Sequence, residues 1–414
     1  MRIGPRRRSA LWIAGAVLAL LIAAAGVLVF GVTRGWFDEG SVEGTTQGFE
    51  PTEAPRGSAG ADRWPEFGYD ARRTRANPAL TGLRPPFRRA WTYDAGSLLE
   101  FPPVIGDGRA IVGTNAGLAL AVDIESGREL WRERLRGRVA SSPALAGDLA
   151  LFTTIRGEVI ALDAATGRRV WRRDVGAAVE SSPLVIEGSA YIGTLSGRVL
   201  RLDARTGGVR WAAQASGDVK ASLAQAGPNV VVGDYAGMIT AFRAGDGTVA
   251  WRAKSPGEAL RGAGRFYAGP AVSYGRIYIG NVNGRVIALD RDTGDVAWVR
   301  VLDDFVYSSA ALAQSTVYVG SYDHRLYALD AVTGRVRWSF DAGERISGSA
   351  SVIGDVVYVS TLARTPGDGR TFGLDVRTGK RLLTFPDGRY SPAVAVEGLL
   401  VLTGVRTLYG LVPR

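Results

Sequence analysis

The side chains that most often carry out chemistry in proteins are scarce in this sequence. The chain has no cysteine, which excludes disulfides and an anchor attached to an N-terminal cysteine. Its single histidine, His324, lies in the run Ser-Tyr-Asp-His-Arg, where other repeats of the chain carry glycine. We interpret His324 as a replaced turn residue rather than a catalytic base. The sequence therefore predicts no catalytic residue and no metal site.

A second set of candidate residues precedes the first strand of each of the repeats described below. In chain order this position holds Glu100, Ala140, Glu180, Lys220, Tyr267, Tyr307, Ser347 and Arg389. A ring without a function could be uniformly small and polar, whereas this one mixes acids, bases and tyrosines. Such a set can bind a polar ligand or a peptide, and drift at loop positions is the alternative. The candidate binding residues are Glu100, Glu180, Lys220, Tyr267, Tyr307 and Arg389.

The elements that would position these residues belong to a repeat of about 40 residues. A tryptophan recurs with gaps of 40, 40, 40, 47 and 40 residues, at Trp131, Trp171, Trp211, Trp251, Trp298 and Trp338. Trp91 precedes this series by 40 residues, and Leu383 takes the place of tryptophan in the last copy. A unit of this length cannot bury its own apolar face, so it must stack on its neighbours.

Each repeat contains three apolar runs of strand length, a turn of the form Asp-x-x-Thr-Gly, and a fourth strand that holds the tryptophan. This pattern predicts a four-stranded antiparallel meander, and its repetition predicts a β-propeller. Eight three-strand groups and eight outer strands can be counted. The strand of Trp91 comes before the first group, so we expect it to pair with the last blade and close the ring.

We assign structural roles to the turn and the tryptophan. The aspartate accepts hydrogen bonds from turn amides, the glycine adopts a backbone angle that other residues resist, and the indole fills the gap between blades. The residues assigned to this motif are Asp123, Gly127, Trp131, Asp163, Gly167, Trp171, Asp203, Gly207, Trp211, Trp251, Asp290, Gly294, Trp298, Asp330, Gly334 and Trp338.

These motifs resemble the PQQ-type propeller repeat family. The similar elements are Ser-Ser-Pro, Tyr-Val-Gly or Tyr-Ile-Gly, Leu-Tyr-Ala-Leu-Asp, and Thr-Gly-x-x-x-Trp, the end of that family's tryptophan docking motif. The segment Trp64–Gly68 with Arg73-Thr74 also resembles a leader common in the family. The resemblance covers about Trp64 to Arg414 and implies the eight-bladed fold. It leaves activity open, because the family holds quinoprotein dehydrogenases beside non-catalytic members similar to the outer-membrane assembly protein BamB.

The resemblance raises pyrroloquinoline quinone (PQQ) as a possible cofactor. Dehydrogenases of the family typically use a calcium ion held by Glu, Asn and Asp, an Asp base, and often an adjacent Cys pair. No residues of this chain can be matched to those ligands by spacing, and it has no cysteine. We therefore predict no cofactor and a non-catalytic protein-binding or scaffold role similar to that of BamB. The alternatives are a PQQ-dependent dehydrogenase and a cell-surface receptor for a glycan or wall polymer.

The first part of the chain predicts attachment to a membrane. Residues 11–32 are apolar or small throughout, about the length of helix that crosses a bilayer. Four arginines precede them, so residues 1–10 should be cytoplasmic and the propeller extracytoplasmic. We predict an uncleaved single-pass signal anchor in the cell membrane, with a cleaved signal peptide as the alternative. Residues 33–62 are predicted as a flexible linker, 63–86 as an N-terminal clasp against the folded domain, and 87–414 as the propeller.

The formal net charge is +10, and removing the four cytoplasmic arginines leaves 46 − 40 = +6. This excess modestly favours anionic partners, and a solvated surface rich in arginine is the alternative. No basic run is interleaved with aromatics, so we predict no nucleic-acid binding. We expect a monomeric propeller that binds a protein or an envelope polymer.

Two insertions mark one face of the ring. Seven extra residues precede Pro270, in a loop that enters an inner strand, and five fall around residues 363–370, in a turn between second and third strands. Such loops and turns share one face of an up-and-down blade, and the docking-motif turns lie on the other. We predict that the face with the insertions, called the entry face below, is the binding face.

Overall fold

The computed structural model describes residues 40–51, 60–256, 264–362, 367–390 and 392–414. Within these residues the chain forms 33 strands and no α-helix. The strands make eight sheets, each with a core of four antiparallel strands. The inner strand of the last blade lies beside that of the first, so the blades form a ring around a central channel. The predicted all-β, eight-bladed propeller is confirmed.

Two strands precede the blades, β1 (Ala76–Asn77) and β2 (Phe87–Asp94). Blades one to four comprise, four strands each, β3 (Val104–Gly106), β4 (Arg109–Gly113), β5 (Leu118–Asp123), β6 (Glu129–Arg134); β7 (Ala144–Ala146), β8 (Leu149–Thr153), β9 (Glu158–Asp163), β10 (Arg169–Asp174); β11 (Leu184–Ile186), β12 (Ser189–Gly193), β13 (Arg198–Asp203), β14 (Val209–Gln214); β15 (Ala224–Ala226), β16 (Asn229–Gly233), β17 (Met238–Arg243) and β18 (Val249–Lys254).

Blades five to eight comprise β19 (Ala271–Ser273), β20 (Arg276–Gly280), β21 (Arg285–Asp290), β22 (Val296–Val301); β23 (Ala311–Ala313), β24 (Thr316–Gly320), β25 (Arg325–Asp330), β26 (Val336–Asp341); β27 (Ser351–Ile353), β28 (Val356–Ser360), β29 (Thr371–Asp375), β30 (Arg381–Phe385); and β31 (Ala393–Val396), β32 (Leu399–Thr403), β33 (Thr407–Pro413) with β2 as the fourth strand. In blade seven β1 adds a fifth strand, parallel to β27.

Each blade begins with a short inner strand beside the channel and ends with an outer strand that faces solvent. In the first blade β4 and β5 are almost entirely buried, because both of their faces pack against neighbouring blades. β6 alternates instead, and Trp131 is its one buried residue. The continuous apolar runs of the sequence therefore become middle strands, and the mixed runs become outer strands.

The ring closes through β2, which pairs antiparallel with β33 from Phe87 opposite Pro413 to Asp94 opposite Thr407. The predicted pairing of the Trp91 strand with the last blade is confirmed. Because strands from the two ends of the propeller complete one sheet, the array has no unpaired terminal blade.

Adjacent blades meet at the docking motif. Trp171 shows the arrangement: its Nε1 donates to the carbonyl of Ala204 in the next blade at 3.0 Å, and its ring covers Gly207. A Cβ on Gly207 would lie 2.6 Å from that ring, and the residue has a φ of +69°. Glycine is required here both for its backbone conformation and for the space it leaves. The Oδ1 of Asp203 accepts the N–H of Thr206 at 2.9 Å and so stabilises the turn.

The same indole-to-carbonyl bond occurs at six blade junctions, donated by Trp91, Trp131, Trp171, Trp211, Trp298 and Trp338. Trp251 is the exception, because its Nε1 has no acceptor among the described residues. Its ring nevertheless covers Gly294, where a Cβ would lie 2.5 Å away. Packing against glycine is therefore the more constant part of the contact.

Serines that lie just before the inner strands form a second link between blades, close to the channel. The Ser142 N–H donates to Ser182 Oγ at 3.0 Å, and the Ser182 N–H donates to Ser222 Oγ at 3.0 Å. The Ser309 N–H donates in the same way to Ser349 Oγ at 3.1 Å. These serines are buried. Their recurrence every 40 residues is explained by a hydrogen bond from one blade to the next.

The N-terminal segment departs from the sequence-based prediction in one part. Residues 40–51 lie within the predicted flexible linker, yet they contact blades five and six, where Val42 forms an antiparallel bridge with Val299. The outer edge of β22 offers unpaired backbone groups there, and the segment pairs with them. The predicted anchor, residues 11–32, lies outside the described residues. None of the described residues forms a helix long and apolar enough to cross a membrane.

We predict that Gly167→Ala is more destabilising than Gly147→Ala. Both glycines have positive φ, +73° and +64°, so both substitutions cost about 1 kcal/mol of backbone strain. A Cβ on Gly167 would also lie 2.7 Å from the Trp131 ring, whereas nothing lies within 4 Å of one on Gly147. Overpacking adds about 1–3 kcal/mol in such cases. Thermal unfolding of both variants measures the difference, and equal losses would show that the indole contact does not restrict this turn.

Candidate functional site

The clasp, residues 63–86, enters the central channel and runs round its inner wall. The second residue of six inner strands donates its N–H to a clasp carbonyl: Ile105 to Trp64, Leu145 to Pro65, Gln225 to Ala71, Val272 to Arg72, Leu312 to Thr74, and Val352 to Arg75. In blade three the Val185 N–H faces Glu66 Oε2 at 3.4 Å. The clasp thus contacts blades one to seven in order. It supplies acceptors for inner-strand N–H groups that would otherwise point into the channel.

A buried ion pair holds the clasp in this position. Arg73 is fully buried and donates to Glu66 Oε2 at 3.0 Å, to Leu223 O at 2.9 Å and to Pro183 O at 2.8 Å. Burial raises the pKa of Glu66 to about 7, and the charge of Arg73 opposes that rise. Burial likewise lowers the pKa of Arg73. The guanidinium thereby links the clasp to the residues just before the inner strands of blades three and four.

Next to this pair, the ring of the clasp residue Phe67 borders a cavity of about 290 Å³ in the channel. Phe67 packs edge-on against Phe101 at 5.6 Å, and the Arg75 guanidinium lies 4.5 Å from its ring on the buried side. The cavity is lined by Phe67, Glu100, Phe101, Ala140, Glu180, Lys220, Ala221, Ser222, Tyr267, Gly269, Tyr307, Ser309, Tyr322, Ser347, Gly348, Ser349 and Tyr390. Apart from Phe67 these residues come from the entry loops and from one second-to-third-strand turn, so the cavity belongs to the entry face.

Five of the six candidate binding residues line this cavity, namely Glu100, Glu180, Lys220, Tyr267 and Tyr307. Arg389 is not among the residues that line the cavity, where Tyr390 takes the equivalent position, and its role in binding stays a prediction. The inner strand β31 has four residues, whereas the other inner strands have three. Val396 pairs with Leu399 across a hairpin turn, as Gly106 of blade one pairs with Arg109, so Val396 and Gly106 are equivalent. Glu100 lies six residues before Gly106, and the residue six before Val396 is Tyr390. Arg389 instead places its guanidinium 5.4 Å from the Tyr390 ring.

One wall of the entry face is a continuous row of aromatic rings. The ring centroids of Tyr235 and Tyr267 are 4.7 Å apart, those of Tyr267 and Tyr307 are 4.7 Å apart, and those of Tyr307 and Tyr322 are 4.6 Å apart. Phe305 extends the row at 5.9 Å from Tyr307 and is 44% exposed. Burial raises the pKa of the Tyr307 hydroxyl, which is therefore uncharged at neutral pH. It offers apolar ring faces together with phenolic hydroxyl groups.

The opposite wall is charged. The Glu180 carboxylate pairs with Lys220 Nζ at 2.7 Å and lies 3.8 Å from Arg138. Lys220 also lies 5.2 Å from the Tyr267 ring and so connects the two walls. Asn115 Nδ2 lies 3.5 Å from Glu100 Oε2, and burial raises the pKa of Glu100. The wall therefore presents hydrogen-bonding groups whose charges largely compensate one another.

Sequence reasoning missed several residues of this site. Tyr322 and Tyr235 lie in turns between second and third strands. Such turns share the entry face with the entry loops, so the sequence contained a signal that placed both tyrosines on this face. Phe67 reaches the cavity only because the clasp enters the channel, and no periodic pattern indicates that route. Tyr267, which follows the first insertion in the chain, lines the cavity. Residues 257–263 and 363–366 of the two insertions lie outside the described residues.

The oxygen ligands that the cavity offers do not fit the calcium and quinone site that the resemblance to quinoprotein dehydrogenases implies. Calcium takes six or more oxygen ligands, usually from several carboxylates. Glu180 is already paired with two cations, and Glu100 lies in a separate blade beside an amide. In the described part of the chain no three or more His, Cys, Asp or Glu residues cluster in a way that could hold a metal ion.

The closed ring of eight four-stranded blades with its docking motifs is the fold of a PQQ-like propeller. A family model described as "Outer membrane protein assembly factor BamB" matches residues 81–186, 155–305 and 236–388, and thus more than half of the chain. The chain belongs to this family. A comparison with curated proteins gave no match.

Solved structures share the fold at low identity. BamB from Moraxella catarrhalis matches with a TM-score of 0.67 and 17% identity, over 79% of this chain and 100% of that one. Quinohemoprotein alcohol dehydrogenase from Comamonas testosteroni matches with a TM-score of 0.72 and 17% identity, over 86% and 81% of the two chains. A europium-containing methanol dehydrogenase gives a TM-score of 0.73 and 15% identity, over 84% and 90%. These similarities show the fold and do not choose between enzyme and assembly factor.

We predict that Arg73→Met strongly destabilises the protein and that adding Glu66→Gln restores part of the loss. The single change leaves a buried carboxylate without its cation, which costs about 3–5 kcal/mol. The double variant removes both charges. Arg63→Met is the control, because Arg63 and Asp107 are 3.8 Å apart and partly exposed, a pair worth less than about 1 kcal/mol. Urea denaturation compares the variants, and a double variant no more stable than Arg73→Met would contradict the coupling.

Proposed function

We propose that this protein is a membrane-anchored, extracytoplasmic binding module without catalytic activity, and that its entry face receives a segment of a protein partner. The observation that carries the proposal is the cavity with Phe67 at its base, a wall of tyrosines on one side and the Glu180–Lys220 pair on the other. Aromatic rings beside paired polar groups are typical of sites where a few residues provide most of the binding energy.

The two faces of the ring differ, which supports binding at the entry face. The clasp contacts the inner strands of seven blades, and Ala61 O, just before it, accepts the Glu397 N–H of blade eight. Residues 40–51 lie across blades five and six. The chain's own N-terminal segment therefore occupies much of the docking-motif face. The entry face has the exposed aromatic ring of Phe305 and the cavity.

The pairing of Glu180 favours a binding role over catalysis by this residue. A general base must be available to accept a proton, whereas Glu180 is engaged by Lys220 and Arg138. His324, the only histidine, is absent from the cavity lining; it has a φ of +75° in the turn between β24 and β25. That φ agrees with its interpretation as a replaced glycine.

Membrane attachment rests on the sequence of residues 11–32 and on the arginines before it. A propeller anchored in this way would meet partners that also lie in or near the membrane. The printed description of the family names an outer membrane assembly factor, which motivates a protein partner for this chain as well. The absence of cysteine means that this chain cannot carry a lipid on an N-terminal cysteine.

We predict that Tyr307→Ala reduces recovery of the partner by at least about tenfold when the protein is purified from detergent-extracted membranes, the effect of losing about 1.4 kcal/mol. The Tyr307 ring contacts Tyr267, Tyr322 and Phe305, so its removal interrupts the aromatic wall. Leu130→Ala is the matched control, because Leu130 is 44% exposed on the outer strand of blade one. Quantitative mass spectrometry of co-purified proteins measures the change, and equal recovery with both variants would refute binding at this pocket.

Two other results would replace this proposal. Turnover of alcohols or sugars by the purified protein with added PQQ and Ca²⁺, followed by dye reduction, would establish the dehydrogenase function of the structural relatives. Binding on a glycan array that Glu180→Ala or Tyr307→Ala abolishes would establish the glycan receptor, which the tyrosine wall and the Glu180–Lys220 pair also suit.

A further inference from the structure

Residues 41–50, which we call the latch, bind along the rim of blades five and six. Val42 and Val299 exchange two backbone hydrogen bonds of 2.8 and 2.9 Å, which adds a short strand to the outer edge of β22. Ser41 Oγ accepts the Val301 N–H at 3.0 Å, and the Gly44 N–H donates to Thr333 O at 3.1 Å. The latch therefore runs along the outer strand of blade five and reaches the docking turn of blade six.

The later part of the latch is held as specifically as the first. Arg276, which is buried, donates to Thr45 O at 2.7 Å and to Gln47 O at 3.1 Å. Phe49 stacks on Tyr274 at 5.4 Å, and the Glu50 N–H donates to Tyr274 O at 3.1 Å. These contacts make the latch part of the propeller.

The fit is closest at Gly44. A Cβ there would lie 2.4 Å from Val332 O and 2.7 Å from the Trp298 ring. Trp298 is 0% exposed, whereas the equivalent Trp251 and Trp131 are 9% and 8% exposed. The latch thus covers one docking tryptophan, and this cover distinguishes the junction of blades five and six.

The position of the latch limits how far this rim can be from the membrane. The predicted membrane span ends at Val32, and the described chain resumes at Gly40 beside the outer strand of blade five. Eight residue steps reach at most about 28 Å, because an extended chain advances by about 3.5 Å per residue. Blades on the far side of the ring have no such restriction.

The same rim is unusually apolar. Eight large hydrophobic side chains of the described residues are exposed, and four of them lie on the latch, β22 or β26: Val42, Val296, Val301 and Val336. Leu130, Val170 and Val209 lie singly on the outer strands of blades one, two and three, and Phe305 belongs to the entry face. An apolar group within a short chain length of a bilayer is suited to the headgroup region, where partly apolar surfaces are stable.

We propose that the latch orients the propeller so that the rim of blades five and six faces the lipid headgroups and the ring stands on its edge. This orientation rests on the membrane anchor of the proposed function. Standing on edge, the ring keeps the entry face open sideways, toward partners that diffuse in the same membrane. The partner of this rim is the lipid surface, and the latch replaces a free linker with a fixed attachment.

The test uses single cysteines in the full chain, which has none of its own. Val296→Cys and Val209→Cys form a matched pair, because each valine opens an outer strand in the same register, opposite Leu289 and Leu202. They are 43% and 48% exposed and lie two blades apart. Each protein carries a fluorescent label and is reconstituted into phosphatidylcholine and phosphatidylglycerol vesicles with spin-labelled headgroups. We expect severalfold stronger quenching at position 296 than at 209.

Releasing the latch should abolish this difference. Gly44→Val places side-chain atoms against Val332 and Trp298, whereas Gly40→Val is the control, because nothing lies within 4 Å of a Cβ there. Val42→Pro releases the latch by another route, since proline lacks the N–H that donates to Val299. Either releasing variant should lower quenching at position 296 to the value at 209, and Gly40→Val should leave it unchanged.

The outcomes separate the orientation from the anchor. Full-length protein that fails to float with the vesicles would overturn the proposed anchor and the orientation with it. Protein that floats but is quenched equally at both positions would overturn the orientation alone. A difference that persists in both Gly44→Val and Val42→Pro would show that the latch does not set the orientation, and would also overturn the proposal.

Discussion

The contact between the indole of one blade and the glycine turn of the next is the constraint on which the ring depends. A Cβ on any of the seven docking-turn glycines would lie 2.5–2.7 Å from the preceding tryptophan. The separation between blades is therefore nearly constant, and a constant angle between blades closes the ring at a definite number. Trp251 keeps this packing without the hydrogen bond to a carbonyl, which shows that close packing is the more general part of the contact.

Closing the ring creates a channel bordered by inner strands with unpaired edges, and the N-terminal segment satisfies them. The clasp accepts hydrogen bonds from blades one to seven, and its Arg73–Glu66 pair lies fully inside the protein. Because the clasp and the latch occupy the docking-motif side, the two faces become chemically different. The cavity beside Phe67 and its tyrosine wall thus follow from the way in which the channel is filled.

The sequence predicted those features that repeat locally. The tryptophan period, the turn motif and the early Trp91 strand were sufficient for eight blades and their closure. Arg389 lies one position before the lining residue Tyr390, which the hairpin pairing of Val396 with Leu399 makes equivalent to Glu100. The route of the clasp could not be predicted, since its contacts span seven blades that are distant in sequence. The latch was hidden by a polar, glycine-containing composition, because its binding depends on backbone groups of β22.

The central claim is that the entry face is the binding face and that the N-terminal segment permanently fills the other side of the channel. Amide hydrogen exchange, compared between the protein in its native membranes and the purified protein, tests this claim most directly. The account predicts that the loops containing Tyr267 and Phe305 exchange more slowly in the membranes, while Leu145 and Val272, bonded to the clasp, exchange slowly in both states. Unchanged entry loops together with new protection on the docking-motif turns would contradict it.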